Sequence, residues 1–201
     1  MNRIPEPSSK KGTKIYLDRA FRDYGRGNVG VYIPQAYHLC GPNSRILDAG
    51  CGIGTHMIGM ARANPLMEFV GVDRNRDAIK YANLIKKKEG VSNVRFIRSG
   101  IYNLLKDPSV LRKFDVVYST ETLHEMPLKK TILAAYLLLK EGGIFMFRDF
   151  DRNQTQKRSN VIQWDKLRRK WGHRYSSRLD KGNVIVKGFK EDPIGPISLD
   201  S

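Results

Sequence analysis

Cysteine, long apolar runs and acidic residues are all scarce in this chain. Two cysteines in 201 residues, Cys40 and Cys51, are too few for a disulfide framework. Cys51 also stands between two glycines, where a bridge would obstruct a ligand loop. Both thiols are therefore expected to be reduced and the compartment cytoplasmic. No apolar stretch approaches the roughly 20 residues of a membrane span, so no membrane partner is expected. Residues 1–14 are polar and basic and lack the apolar core of a signal peptide. There is no CxxC pair and no His-x-Glu cluster, so no zinc site is expected. Asp and Glu number 20 against 36 Lys and Arg, a formal net charge of +16.

The imbalance is uneven. Residues 148–190 hold 13 cations against 4 anions, and residues 1–45 hold 8 against 3, while the section between holds 15 against 10. A basic excess concentrated in two flanks suits a polyanion, so nucleic acid, RNA first, is the expected partner. In residues 152–178 the cations, Arg168, Arg169 and Lys170 among them, interleave with Trp164, Trp171 and Tyr175. Cations beside aromatics can neutralise phosphates and stack on unpaired bases. Equally, Trp164 and Trp171 can be the buried stripe of a helix over 159–171, with the cations on its solvated side.

From Arg45 the chain alternates regularly. Short apolar runs at 45–49, 68–73, 93–98, 114–119 and 144–150 read as strands. The segments 54–64, 75–89 and 128–140 read as helices, the last stopped by Gly142 and Gly143. Alternation of this kind means βαβ units around a mainly parallel sheet. Residues 173–178 and 184–189 are expected to pair as a hairpin across 180–183. The division is an N-terminal basic extension with helices (1–44), a ligand-binding domain (45–190) and a tail (191–201).

The strongest local signal is Asp48-Ala49-Gly50-Cys51-Gly52-Ile53-Gly54, between a strand and a helix. Gly50 and Gly52 let the backbone turn tightly and approach a ligand closely. A dinucleotide loop needs Gly-x-Gly-x-x-Gly, and that spacing is not met. Asp73 ends the second strand, 25 residues after Asp48. A carboxylate there can accept hydrogen bonds from both ribose hydroxyls and would repel a 2′-phosphate, which disfavours NADP.

The segment from Arg45 to about Asp151 resembles the class I S-adenosylmethionine-dependent methyltransferases. Ile46 to Thr55 resembles the first motif of that family, and Val70-Gly71-Val72-Asp73 the second. Phe114 to Ser119 resembles the fourth-strand motif, and Leu138 to Phe145 the turn before the fifth strand. The resemblance implies a Rossmann-like, doubly wound α/β fold: a mainly parallel seven-stranded sheet, helices on both faces and a C-terminal antiparallel strand. It implies S-adenosylmethionine as cofactor, in a cleft at the carboxyl ends of the strands. Asp48, Gly50, Cys51, Gly52 and Gly54 would line the methionyl end. Asp73 and Arg74 would lie at the ribose, and residues 99–102 would flank the adenine, with contact from backbone at Gly100 and Ile101 or from another side chain; Ser119 and Thr120 would lie at the end of the fourth strand. The chain departs from the family at Gly100, where many members carry an acidic residue for the adenine amino group.

Methyl transfer is an in-line displacement whose reactivity the cofactor carries, so the protein mainly positions the acceptor and takes its proton where needed. His124 follows the fourth strand and is the best base by its solution pKa; it can also line the cleft or pack. Glu121 and Glu125 flank it and are candidates to touch the acceptor, as are Arg168, Arg169 and Lys170. No Asn/Asp-Pro-Pro-Tyr/Phe follows the fourth strand, which disfavours amino methylation of adenine or cytosine. Arg148 to Arg152 resembles the strand end of the methyltransferases that make 3-methylcytidine in tRNA, though Arg148 and Asp149 can simply pair. The expected function is methyl transfer to RNA; the alternative is a small-molecule O-, N- or C-methyltransferase.

Overall fold

The structure, a computed structural model, describes residues 40–150, 175–180 and 183–189. The N-terminal extension, the helix expected over 159–171, Arg168, Arg169, Lys170 and the tail lie outside the described residues. Five strands run parallel: β1 (Arg45–Ala49), β2 (Glu68–Asp73), β3 (Val94–Arg98), β4 (Phe114–Thr120) and β5 (Leu139–Phe150). Their spatial order is β3-β2-β1-β4-β5. The order reverses between β1 and β4, and open α/β sheets bind ligands at the carboxyl ends of strands flanking such a switch point.

The parallel body has five strands, and two further strands complete the seven-stranded sheet that the resemblance implies. The last two strands, β6 (Tyr175–Asp180) and β7 (Asn183–Phe189), form a hairpin, and β7 lies antiparallel on β5. Two residues join them, a link that allows only antiparallel neighbours.

β1, β2 and β4 are buried on both sides, which is why they read as apolar runs, while β3 at the sheet edge alternates, with Arg95 and Arg98 exposed. On one side α1 (Thr55–Ala63) and α2 (Arg76–Lys88) cover Ile46, Phe69, Val94, Phe96, Val116 and Tyr118. The buried stripe of α2 is Ala78, Ile79, Ala82 and Ile85, a helical spacing. On the other side α3 (Leu128–Leu138) and two short 3-10 turns, Ile101–Lys106 and Pro108–Val110, cover Leu47, Val70, Val72, Val117 and Phe145. The side-chain amide of Asn93, just before β3, donates to the carbonyls of Ala61, Asn64 and Met67 at 2.9–3.1 Å. It fixes the end of α1 and the turn into β2.

One boundary differs from the expected one. The third helix stops at Leu138, and β5 begins at Leu139 rather than at 144. Gly142, with φ 68°, sits inside β5, where its register on β4 shifts between Phe114 and Val116. A residue in the left-handed region kinks a strand without ending it, so the glycine pair makes an irregularity rather than a separate turn.

Candidate functional site

At the carboxyl end of β1 the chain enters a loop whose three glycines, Gly50, Gly52 and Gly54, all have positive φ (88°, 55° and 73°). Two of these positions also lack room. A Cβ on Gly50 would lie 2.7 Å from Thr122 Cβ, and one on Gly54 would strike the Phe96 ring. The loop is tied down by its own amides. Gly50 and Cys51 donate to the Val72 carbonyl at 2.8 and 3.1 Å, and Gly52 N donates to Asp73 Oδ2 at 3.0 Å. Asn75 N donates to Asp73 Oδ1 at 2.8 Å. α2 then opens on Asn75, whose side-chain oxygen accepts from Asp77 N and Ala78 N. α1 opens on Gly54 with no side-chain cap, so its first turn faces the loop without an internal acceptor.

Asp73 keeps capacity for a ligand. A carboxylate offers about four lone-pair positions, and two backbone amides occupy one on each oxygen. Burial raises its pKa, opposed by the amides of Asn75 and Gly52 and by the nearby Arg74. Arg74 is exposed.

Asp48 is buried and lies opposite Tyr118 across the β1–β4 ladder. Burial pushes its carboxyl from an ordinary 3.8 up to about 7, eased by the neighbouring Tyr118 hydroxyl and reinforced by the charge of Asp73. The two side chains are close, yet neither Asp48 Oδ1 nor Tyr118 Oη completes a hydrogen bond. A buried polar atom without a partner is costly, and such atoms gather where a ligand or water supplies the missing bond. Cys51 is a free thiol pushed well up by burial, so it stays protonated and is no nucleophile.

The far wall of the loop comes from β4. Ser119 Oγ donates to the Ala49 carbonyl at 2.6 Å, and Ser119 is buried. Thr122 Oγ1 donates to the Thr120 carbonyl at 2.9 Å and to the Gly50 carbonyl at 3.3 Å. Ser119 thus holds the loop from behind, while Thr120 is half-buried at its rim. Glu121 is exposed with φ 55°, and Glu125 is half-buried. Residue 124 lies in a 3-10 turn, Leu123–Glu125, and Leu123 is buried; the His124 side chain lies outside the described residues. Gly100 is buried, and Ile101 turns its side chain into the core, so this pair can offer a ligand only backbone. Thr122 and Tyr118 were not among the expected site residues. Tyr118 had one legible signal, a phenol at the end of the apolar run Val116-Val117 in β4.

These features fit S-adenosylmethionine. The loop leaves no phosphate-binding spacing, the carboxylate of Asp73 retains two acceptor positions, and a buried acidic atom awaits a donor. Among the described residues no cluster of His, Cys, Asp or Glu could hold a metal ion. Residues 41–184 match the family model described as a methyltransferase domain.

The chain belongs to the S-adenosylmethionine-dependent methyltransferases.

This methyltransferase is 30% identical over 128 residues to 24-methylenesterol C-methyltransferase 3 of Arabidopsis thaliana, covering 61% of this chain and 35% of that one. It is 30% identical over 103 residues to tRNA (guanine-N(7)-)-methyltransferase of Nitrosococcus oceani, covering 50% of this chain and 41% of that one. The methyltransferase thus spans less than half the length of either relative. Its fold matches the solved S-adenosylmethionine-dependent methyltransferase from Aquifex aeolicus with a TM-score of 0.61 and 17% identity, over 74% of this chain and 84% of that one. No helix among the described residues is long and apolar enough to cross a membrane.

Proposed function

We propose that this methyltransferase transfers the methyl group of its cofactor to RNA. The cofactor supplies an electrophilic methyl on a sulfonium. Asp48, the loop 50–54, Asp73 and Thr120 hold it, Ser119 braces the loop from behind, and the turn after β4 faces the acceptor. His124 takes the acceptor's proton where the acceptor atom carries one.

The observation that carries the RNA reading is the charge beside the cleft. Residues 74–98, which form the outer edge of the sheet next to Asp73, hold eight Lys/Arg against two acids. One of the acids, Glu89, pairs with Arg62 at 2.9 Å. Arg74, Arg76, Lys80, Arg95 and Arg98 are all exposed. This edge adds to the two basic flanks read from the sequence. A second reading is methyl transfer to a small molecule, favoured by the likeness to a sterol methyltransferase.

The test is incorporation of labelled methyl from the cofactor into total RNA and, in parallel, into a small-molecule extract. Label in RNA is expected. RNA binding should weaken with salt, and neutralising Arg168, Arg169 and Lys170 together should flatten the slope of log affinity against log salt by about 2. Label in the organic extract alone overturns the RNA reading in favour of the second.

A further inference from the structure

The segment after β3 lies next to Asp73, since Ser99 N donates to the Asp73 carbonyl at 3.0 Å. β3 stands outside β2 in the sheet, on the side away from the glycine loop. With the methionyl end in the loop and the ribose at Asp73, the purine extends toward residues 99–102. Reading a purine edge takes a polar side chain or a free backbone group, and here few remain. Gly100 has no side chain. The Ser99 hydroxyl donates to the Gly100 carbonyl at 3.1 Å, and the same carbonyl accepts from Asn103 N at 3.0 Å. The side chain of Ile101 is in the core. Arg98 Nε is turned toward the Arg74 carbonyl, 3.5 Å away.

Beside the backbone amides of this segment, Tyr102 offers its polar side chain, and it is placed over the gap. A Cβ on Gly100 would lie 3.3 Å from Tyr102 Cζ and 3.6 Å from its hydroxyl oxygen. The phenol therefore fills the space into which a side chain at position 100 would project. The ring is half-buried and packs against the core cluster to which Leu47, Val70, Val72 and Ile101 belong.

We infer that Tyr102 is the residue that reads the cofactor's purine. The inference rests on the cofactor placement above. It carries a specific consequence. An ionised carboxylate can only accept a hydrogen bond, so at this place it would favour a 6-aminopurine and oppose a 6-oxopurine. A phenol both accepts and donates, so it serves an exocyclic amine as acceptor and an exocyclic carbonyl as donor. The site takes inosyl as well as adenosyl cofactors.

The experiment is calorimetry on the full chain with two probes, S-adenosylhomocysteine and S-inosylhomocysteine. Wild type should bind both within about tenfold of each other, because either base finds a partner in the phenol. Tyr102→Phe keeps the ring and its packing, and should bind both about five- to tenfold more weakly. Gly100→Asp with Tyr102→Ala exchanges phenol for carboxylate, and should keep the adenosyl probe while losing the inosyl probe by roughly a hundredfold. Wild-type affinity of Tyr102→Phe for both probes, or rejection of the inosyl probe by wild type by more than about a hundredfold, overturns the assignment. Failure of the cofactor placement looks different: wild type would bind neither probe, or Asp73→Ala would bind both as wild type does.

Discussion

The ends of β1 and β2 and the end of β4 face the same cleft but are built differently. At the first, amide after amide is assigned: Gly50 and Cys51 to Val72, Gly52 and Asn75 to Asp73. Three left-handed glycines make that compactness possible, and two could not be replaced without collision. At the second, side chains do the tying, through Ser119 and Thr122, and a non-glycine residue, Glu121, adopts the left-handed conformation. The proposed cofactor side is held by backbone amides. The proposed acceptor side is held by side chains, which are free to differ. A family resemblance can therefore fix the cofactor and leave the acceptor open.

The contrast can be broken or sharpened by experiment, beginning with the largest effect. Asp48 is buried with its carboxyl pushed from 3.8 up to about 7. Between those values the folded state holds a proton that the unfolded chain has released, so stability is full below about pH 4 and falls as the pH rises to about 7. The full shift corresponds to something on the order of 4 kcal/mol. Chemical denaturation of Asp48→Asn beside wild type should show wild type losing that stability over this window while the variant keeps it. Parallel curves would mean that Asp48 is solvated.

Next in size is Gly50→Ala. It combines a left-handed residue with a methyl group against Thr122, and should cost about 3 kcal/mol in stability, in cofactor binding, or divided between them. The same change at Gly90, also left-handed (φ 65°) but with nothing within 4 Å of a Cβ, should cost only about 1 kcal/mol. Equal costs at both would show that Thr122 does not crowd the loop.

A further effect, somewhat smaller than that of Gly50→Ala, belongs to the proposed acceptor side. His124→Ala should lower turnover about a hundredfold if it serves as base, with affinity for S-adenosylhomocysteine within about twofold of wild type, since no cofactor contact is asked of it. Unchanged turnover across the pH range would remove His124 from the chemistry, and lost cofactor affinity would erase the division between the two sides.

How much was legible in the sequence follows the same line. β1, β2 and α2 were readable almost to the residue, because parallel strands buried on both sides leave continuous apolar runs and Asn75 marks the helix start. Asp73 and the glycine loop were readable because their spacing answers to backbone geometry. The start of β5 was not, because Gly142 was read as a stop when its left-handed conformation carries the strand through a kink. Nor were the sites of Tyr118, Thr122 and Tyr102, whose importance depends on which strand lies opposite or which glycine lies beneath. Those pairings bring together residues up to 72 positions apart, as Thr122 and Gly50 are, and no local pattern encodes them.

The Ser119 and Thr122 hydroxyls have one more consequence. They hitch the turn that leads to His124 directly onto the carbonyls of Ala49 and Gly50. Any molecule that shifts this turn on arrival must pull on the loop and so change its hold on the methyl donor. Linkage then requires the donor to change the hold on that molecule by the same factor. Communication between the two occupants of the cleft would need neither a hinge nor a moving domain, only two hydroxyl groups.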